Sequence, residues 1–128
     1  MHRIYLMDWA ETWGNTAKAI IRENTEQAVQ FVSEKIHEPR TESSEMFNWF
    51  IWKVQTCDVV ILNFDKMDYE AELKLMAINT INAISSNKIF VVGFGTDTKL
   101  KPFVKDAMFH TEQTVEDAVE YINTYLMV

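Results

Sequence analysis

The sequence predicts an α/β domain with three layers, in which a parallel sheet of four or five strands carries helices on both faces. Two observations favour this fold class. The runs Val59–Leu62 and Ile89–Val92 are apolar at every position, which is typical of strands covered on both faces, as in parallel sheets. Helical patterns of apolar residues separate the strand-like runs, and this alternation predicts right-handed crossovers. The 128 residues contain no internal repeat or linker, so residues 1–128 are predicted to form one domain.

The first half of the chain is predicted to contain two strands and two helices. Ile4–Met7 is the first strand, and a helix is predicted from Thr16 to Lys35 because its apolar residues recur at helical spacing. Proline favours extended geometry in the residue before it, so residues 36–40, which include Pro39, are predicted as a short second strand and its exit loop. Ser43 or Ser44 then caps a helix that ends near Thr56.

The second half is predicted to contain three further strands and two helices. Val59–Asn63 is the middle strand, and a helix follows it from Asp68 to Ser85. The next strand is Ile89–Gly93, and a short strand is predicted at Ala107–Phe109. Thr114 is predicted to cap a last amphipathic helix.

The composition argues against several partners and locations. The formal net charge is -7, which repels phosphate backbones and anionic lipids, so neither nucleic acid nor a membrane is an expected partner. Cys57 is the single cysteine, which excludes a disulfide framework and favours a reducing compartment. The apolar run Ile4–Met7 is too short for a signal peptide, and no segment is long enough to cross a bilayer. We therefore expect a cytoplasmic protein.

No metal or cofactor site is predicted. The three histidines are scattered, and no pair of Cys or His residues has the spacing of metal ligands. Gly93-Phe94-Gly95 lacks the third glycine of a dinucleotide-binding fingerprint, and the chain has no glycine-rich phosphate loop that ends in Lys-Ser or Lys-Thr. We therefore expect the protein to use neither a metal nor a cofactor.

The helix that starts at Ser43 or Ser44 has more apolar surface than one face of a sheet requires. Trp49 and Trp52 widen its apolar stripe. A wide apolar face on a small domain favours contact with a second copy of the chain. The sequence therefore predicts a homo-oligomer.

Five short segments match the layout of one known enzyme family. They are Ile4-Tyr5-Leu6, Cys57–Leu62, Glu70–Leu73, Lys88–Phe94 and Thr114–Tyr125. In this order the chain resembles the nucleoside 2-deoxyribosyltransferase superfamily, where the corresponding segments are the opening strand, the middle strand, the segment with the nucleophilic glutamate, the next strand and the closing helix. The resemblance implies a short flavodoxin-like fold. It also implies cleavage or transfer of the N-glycosidic bond of a nucleoside or nucleotide.

Within this resemblance, Glu72 corresponds to the nucleophile because it directly precedes Leu73. A carboxylate can stabilise or capture the positive charge that builds at the anomeric carbon when the bond breaks. Glu70 is the second catalytic candidate, but residues two apart on a helix point in different directions, so one of them at most faces a site. As ordinary acids at a helix N-terminus, both also suit a solvated surface.

The remaining candidates are expected to bind the substrate. Tyr5 and Asp8 are predicted to position the sugar. Trp9 or Trp13 is predicted to stack on the base, and Asn63 or Asp65 to hydrogen-bond the base edge. Each has a structural alternative: core packing for the aromatic residues, helix capping for Asp8, and turn formation for Asn63 and Asp65.

Three hypotheses about function remain open. The first is an enzyme, a nucleoside deoxyribosyltransferase or nucleotide N-glycosidase. The second is a non-catalytic module on the same scaffold that binds a nucleotide-like ligand or a protein, which the glycine-free stretch Asp65–Glu70 and Lys74 after the Glu-Leu pair favour. The third is an unrelated interaction protein with convergent strand patterning.

Overall fold

The computed structural model describes residues 2–7, 12–24, 28–33, 43–97 and 99–127. The strands are β1 His2–Met7, β2 Val29–Ser33, β3 Val59–Asn63, β4 Phe90–Phe94 and β5 His110–Glu112. The α-helices are α1 Gly14–Asn24, α2 Ser43–Val54, α3 Tyr69–Ile84, α4 Pro102–Ala107 and α5 Val115–Tyr121. A short 3₁₀ turn, Phe64–Lys66, joins β3 to α3, and a π-helical segment, Ile122–Leu126, extends α5.

The five strands form one sheet in the order β2-β1-β3-β4-β5, and every neighbouring pair is parallel. This order is the flavodoxin-like one, in which the chain changes direction across the sheet between β1 and β3. Tyr5 pairs with Val60, and Met7 pairs with Leu62. The predicted fold class, a parallel sheet in a flavodoxin-like α/β domain, is therefore confirmed.

Two apolar clusters cover the two faces of the sheet and make the three layers. One cluster joins the sheet to α2, α3 and α4 through side chains such as Phe50, Leu75 and Val104. The other joins it to α1 and α5 through Ile21, Val119 and neighbouring residues. Successive residues of a strand point to opposite faces, so the wholly apolar β3 contributes Val60 and Leu62 to the first cluster and Val59 and Ile61 to the second.

The predicted helix from Thr16 to Lys35 is wrong in its second half. Helix α1 ends at Asn24, and Val29–Ser33 forms β2, which pairs with β1. Val29, Phe31 and Val32 suit a helical stripe and a strand about equally, and β-branched residues favour the strand once a partner strand is available. The strand predicted within residues 36–40 lies outside the described residues.

The prediction for the region after β4 is also wrong in part. Residues 102–107 form the short helix α4, which was not predicted from the sequence. The last strand is His110–Glu112 rather than Ala107–Phe109. Pro102 starts α4 at a position where the missing N–H of proline costs nothing. Because α4 extends to Ala107, β5 begins three residues later than predicted.

The predicted start of α3 near Asp68 and the predicted cap of α5 at Thr114 are both confirmed. The Asp68 side chain accepts a hydrogen bond from Ala71 N at 2.8 Å. The Thr114 hydroxyl accepts one from Asp117 N at 3.1 Å. Each cap satisfies an N–H group that has no partner inside its helix.

Candidate functional site

The carboxyl ends of β1 and β3 lie side by side, since Met7 pairs with Leu62. In open parallel sheets, ligands bind beyond the carboxyl ends of the strands where the strand order reverses, which in this order is at β1 and β3. The segments that follow the two strands are therefore the expected place for chemistry. Asp8 and Trp9 follow β1, but they lie outside the described residues.

Glu72 lies in the first turn of α3, just beyond the carboxyl end of β3. Its side chain is 19% exposed, and both of its carboxylate oxygens contact the Lys101 ammonium group: Oε1 at 3.0 Å and Oε2 at 3.1 Å. Lys101 is the N-cap residue of α4 and is 62% exposed. The site thus contains a partly buried carboxylate whose charge is balanced by a lysine from the next crossover.

Glu70 has a different environment from that of Glu72. It is exposed, whereas Glu72 is half-buried. The rotation of 100° per helical residue accounts for the difference, because a separation of two residues turns the side chain through about 200°. Of the two catalytic candidates, Glu72 is the one that the fold holds against another element.

The side chains of Asn63 and Asp65, at and after the end of β3, both accept hydrogen bonds from backbone N–H groups. The Asn63 side chain accepts a hydrogen bond from Asp65 N at 3.0 Å. The Asp65 carboxylate in turn accepts hydrogen bonds from Thr96 N at 3.0 and 3.1 Å and from Asp97 N at 2.8 Å. Asp65 therefore ties the loop after β3 to the loop after β4.

Gly95 makes the connection between these two loops possible. It has a φ of 155°, and a Cβ placed on it would lie 2.9 Å from the Asp65 Cγ and from a Phe64 ring carbon. A side chain at this position would therefore strain the backbone and displace the carboxylate.

Tyr5 is fully buried, at 0% exposure. Its ring packs edge-on against Phe50, with centroids 5.4 Å apart, and lies 6.5 Å from the Trp49 ring. Trp49 is half-buried, whereas Trp52 is exposed. The structure therefore places Tyr5 and Trp49 in the layer between the sheet and α2, and Tyr5 has no surface open to solvent.

Lys74 is the buried charged residue among the described side chains, at 6% exposure. Its ammonium group lies 5.5 Å from the centre of the Phe50 ring. Lysine side chains on a helix lean toward the helix N-terminus, which for α3 is the carboxyl edge of the sheet. Lys74 therefore adds a positive charge to the layer below the expected site, at the position after the Glu-Leu pair.

An open groove of about 880 Å³ lies at the carboxyl edge beside β4 and β5. Its apolar lining includes Phe64, Leu100 and Met108, and its polar lining includes Asp97, Lys105, His110 and Glu112. None of the sequence-predicted site residues that the structure describes lines it. The groove touches the loops that Asp65 ties together, so it adjoins the candidate site without containing Glu72.

Two further observations concern ions and membranes. Within the described ranges, no group of three or more His, Cys, Asp or Glu side chains is arranged to hold a metal ion. No helix in those ranges combines the length and the apolar character that are needed to cross a bilayer.

Comparison with known proteins gives few matches. No protein-family model matches this chain. No curated protein matches it either. Among solved structures, the lysine decarboxylase LdcF of Francisella novicida matches with a TM-score of 0.49 and 10% sequence identity. The match covers 96% of this chain but only 16% of that one, and the likeness is one of α/β fold alone.

The sequence singled out Glu72 as a candidate but did not predict its contact with Lys101. Lys101 is 29 residues away in the chain, and no local pattern links the two. Lys99 and Lys101 after β4 were the residues that could have indicated a partner for Glu72, because loops after neighbouring parallel strands meet at one edge of the sheet. The tie between Asp65 and residues 96–97 was missed for the same reason.

Proposed function

We propose that this protein cleaves or transfers the N-glycosidic bond of a nucleoside or nucleotide, with the Glu72 carboxylate as nucleophile. The observation that carries the proposal is the placement of Glu72. It is a partly buried carboxylate at the carboxyl edge of the central strand, in the first turn of a helix, with one compensating cation. The resemblance to the nucleoside 2-deoxyribosyltransferase superfamily in the segment Glu70–Leu73 supports the same residue.

Apart from the Glu72 carboxylate, the reaction requires few groups from the protein. A Glu72 oxygen forms a bond to the anomeric carbon while the bond from that carbon to the base nitrogen breaks, and the base leaves with the electron pair and takes a proton from solvent. Attack by water on the glycosyl-enzyme then gives hydrolysis, and attack by a second base gives transfer. Either acceptor releases Glu72 unchanged.

The contact with Lys101 is compatible with this role. Lys101 is 62% exposed, whereas Glu72 is 19% exposed. Water can solvate the lysine when the contact is broken, so a substrate can displace the ammonium group from one carboxylate oxygen. We expect the freed lysine to contact the phosphate when the substrate is a nucleoside monophosphate.

A base-release assay with a panel of deoxynucleosides and their monophosphates, with and without a free acceptor base, tests the proposal. We expect Glu72→Ala to abolish base release and Glu70→Ala to retain it, since Glu70 is the matched acid on the exposed side of the same turn. Equal activity of wild type and Glu72→Ala would contradict the assignment of the nucleophile.

A non-catalytic binding module is the second candidate, and two observations favour it. Tyr5, which was expected to border the sugar, is fully buried, and both oxygens of Glu72 are occupied by Lys101. If the panel gives no base release but a nucleotide raises the thermal unfolding temperature, the second function replaces the first. Lys101→Met would then lower that stabilisation for phosphorylated ligands more than for nucleosides.

A further inference from the structure

Lys101 occupies a position that is unfavourable for a lysine within its own helix. It is the N-cap residue of α4, and its side chain makes no capping hydrogen bond. N-cap positions favour side chains that accept hydrogen bonds from the first N–H groups of the helix. A positive charge is also disfavoured there, because the N-terminal end of the helix dipole is itself positive. Among the described residues, the Glu72 carboxylate is the group that compensates this charge.

The backbone of Lys101 is fixed by the first turn of α4. Its carbonyl oxygen accepts hydrogen bonds from Val104 N at 3.0 Å and from Lys105 N at 3.2 Å. Val104 is buried in the apolar cluster that joins α4 to α3 and the sheet. The ammonium group is therefore extended from a fixed point toward Glu72, where it contacts both carboxylate oxygens.

We propose that Lys101 is a positioning residue that acts through Glu72: it slows formation of the glycosyl-enzyme and speeds its breakdown. The role rests on the proposed function, because it concerns the two steps of that reaction. Before the first step, Glu72 has a full negative charge beside the ammonium group. In the glycosyl-enzyme the same carboxyl group is an uncharged ester. The ion pair therefore stabilises the free carboxylate more than the ester.

The two steps move charge on Glu72 in opposite directions. Formation of the ester removes negative charge from the carboxylate, so the Lys101 ammonium group opposes this step. In the second step a water oxygen forms a bond to the anomeric carbon while the bond from that carbon to the Glu72 oxygen breaks. The carboxylate leaves with the electron pair, and the proton of the water passes to solvent. Negative charge then develops beside Lys101, which assists this step.

The amount of glycosyl-enzyme at steady state tests this role. The protein is mixed with a saturating deoxynucleoside and quenched in acid, and intact-mass spectrometry gives the ratio of sugar-bearing chains to free chains. Lys101→Met removes the charge without removing a capping hydrogen bond. We expect this ratio to rise about tenfold, which corresponds to ~1.4 kcal/mol. The magnitude is near the lower limit for a hydrogen bond between charged groups, because Lys101 is 62% exposed.

Three further variants separate the charge of Lys101 from its packing. Lys101→Gln is also neutral and should behave like Lys101→Met. Lys101→Arg keeps a cation beside Glu72 and should restore the wild-type ratio. Lys105→Met removes another exposed lysine of α4 and should leave the ratio unchanged. Circular dichroism shows whether each variant is folded.

The possible outcomes distinguish this role from the proposed function itself. If Lys101 only supports the structure, its loss slows both steps together and leaves the ratio unchanged. An unchanged or lower ratio in Lys101→Met, while the wild type releases base, would overturn the positioning role and leave Glu72 as the nucleophile. A wild-type protein that releases no base from any substrate would overturn both.

Discussion

The tie between Asp65 and the loop after β4 gives the most detailed prediction about stability. Replacing Asp65 by Ala removes the acceptor of two backbone N–H groups, those of Thr96 and Asp97, and of the Thr96 hydroxyl at 3.4 Å. A hydrogen bond to a charged group contributes ~1.5–3 kcal/mol, and less where water can replace the acceptor. Because Asp65 is exposed, we expect Asp65→Ala to lower the free energy of unfolding by about 2 kcal/mol in total.

Urea unfolding followed by circular dichroism measures this change. Slopes for small proteins are ~1–3 kcal/mol/M, so the midpoint should fall by about 1 M. Asp65→Asn keeps one oxygen acceptor without the charge and should lose about half as much. Asp106→Ala removes an exposed acid from α4 and serves as the control. If Asp65→Ala unfolds at the same urea concentration as Asp106→Ala, the two loops are not held together by this carboxylate, and Asp65 is free to contact a ligand.

Two further predictions follow from the same region and from the core. Gly95→Ala places a Cβ against Asp65 and Phe64 at a φ of 155°, so we expect a loss of ~1–3 kcal/mol in urea unfolding; a wild-type midpoint would show that the loop relaxes freely. Burial raises the pKa of the Cys57 thiol above its usual value of 9.0. Above about pH 9 the unfolded chain therefore loses a proton that the folded state keeps, so ionisation of Cys57 should lower the free energy of unfolding as the pH rises. In Cys57→Ala the free energy of unfolding should therefore fall less steeply above about pH 9 than in wild type. An unchanged pH dependence would contradict this prediction.

The sequence predicted the central elements of the fold because their signals are local. β3 is apolar at both faces, and α3 and α5 start at side chains that cap their own helices. The N-terminal half of the sheet was harder, since Val29–Ser33 satisfies helical and strand periodicity alike and only pairing with β1 decides between them. Helix α4 has six residues, which is too short for a periodic pattern to stand out.

The same difference between local signals and long-range contacts applies to the candidate site. The position of Glu72 after the central strand followed from the pattern, whereas its partner Lys101 depends on the spatial order of the loops. Tyr5 shows a limit of strand patterns, which indicate that a residue faces the core but not whether its polar end reaches the surface. The packing of Phe50 and Trp49 against the Tyr5 ring decides that question, and both lie more than forty residues further along the chain.

The most direct measurement of the proposed function is peptide mapping by mass spectrometry after the protein is quenched during turnover of a deoxynucleoside. The proposal predicts a sugar attached to the peptide that contains Glu72, formed with release of an equal amount of base and absent from Glu72→Gln. Base release that continues in Glu72→Gln would contradict the account, as would a sugar on another residue. A complete lack of base release across the panel would equally refute the catalytic role.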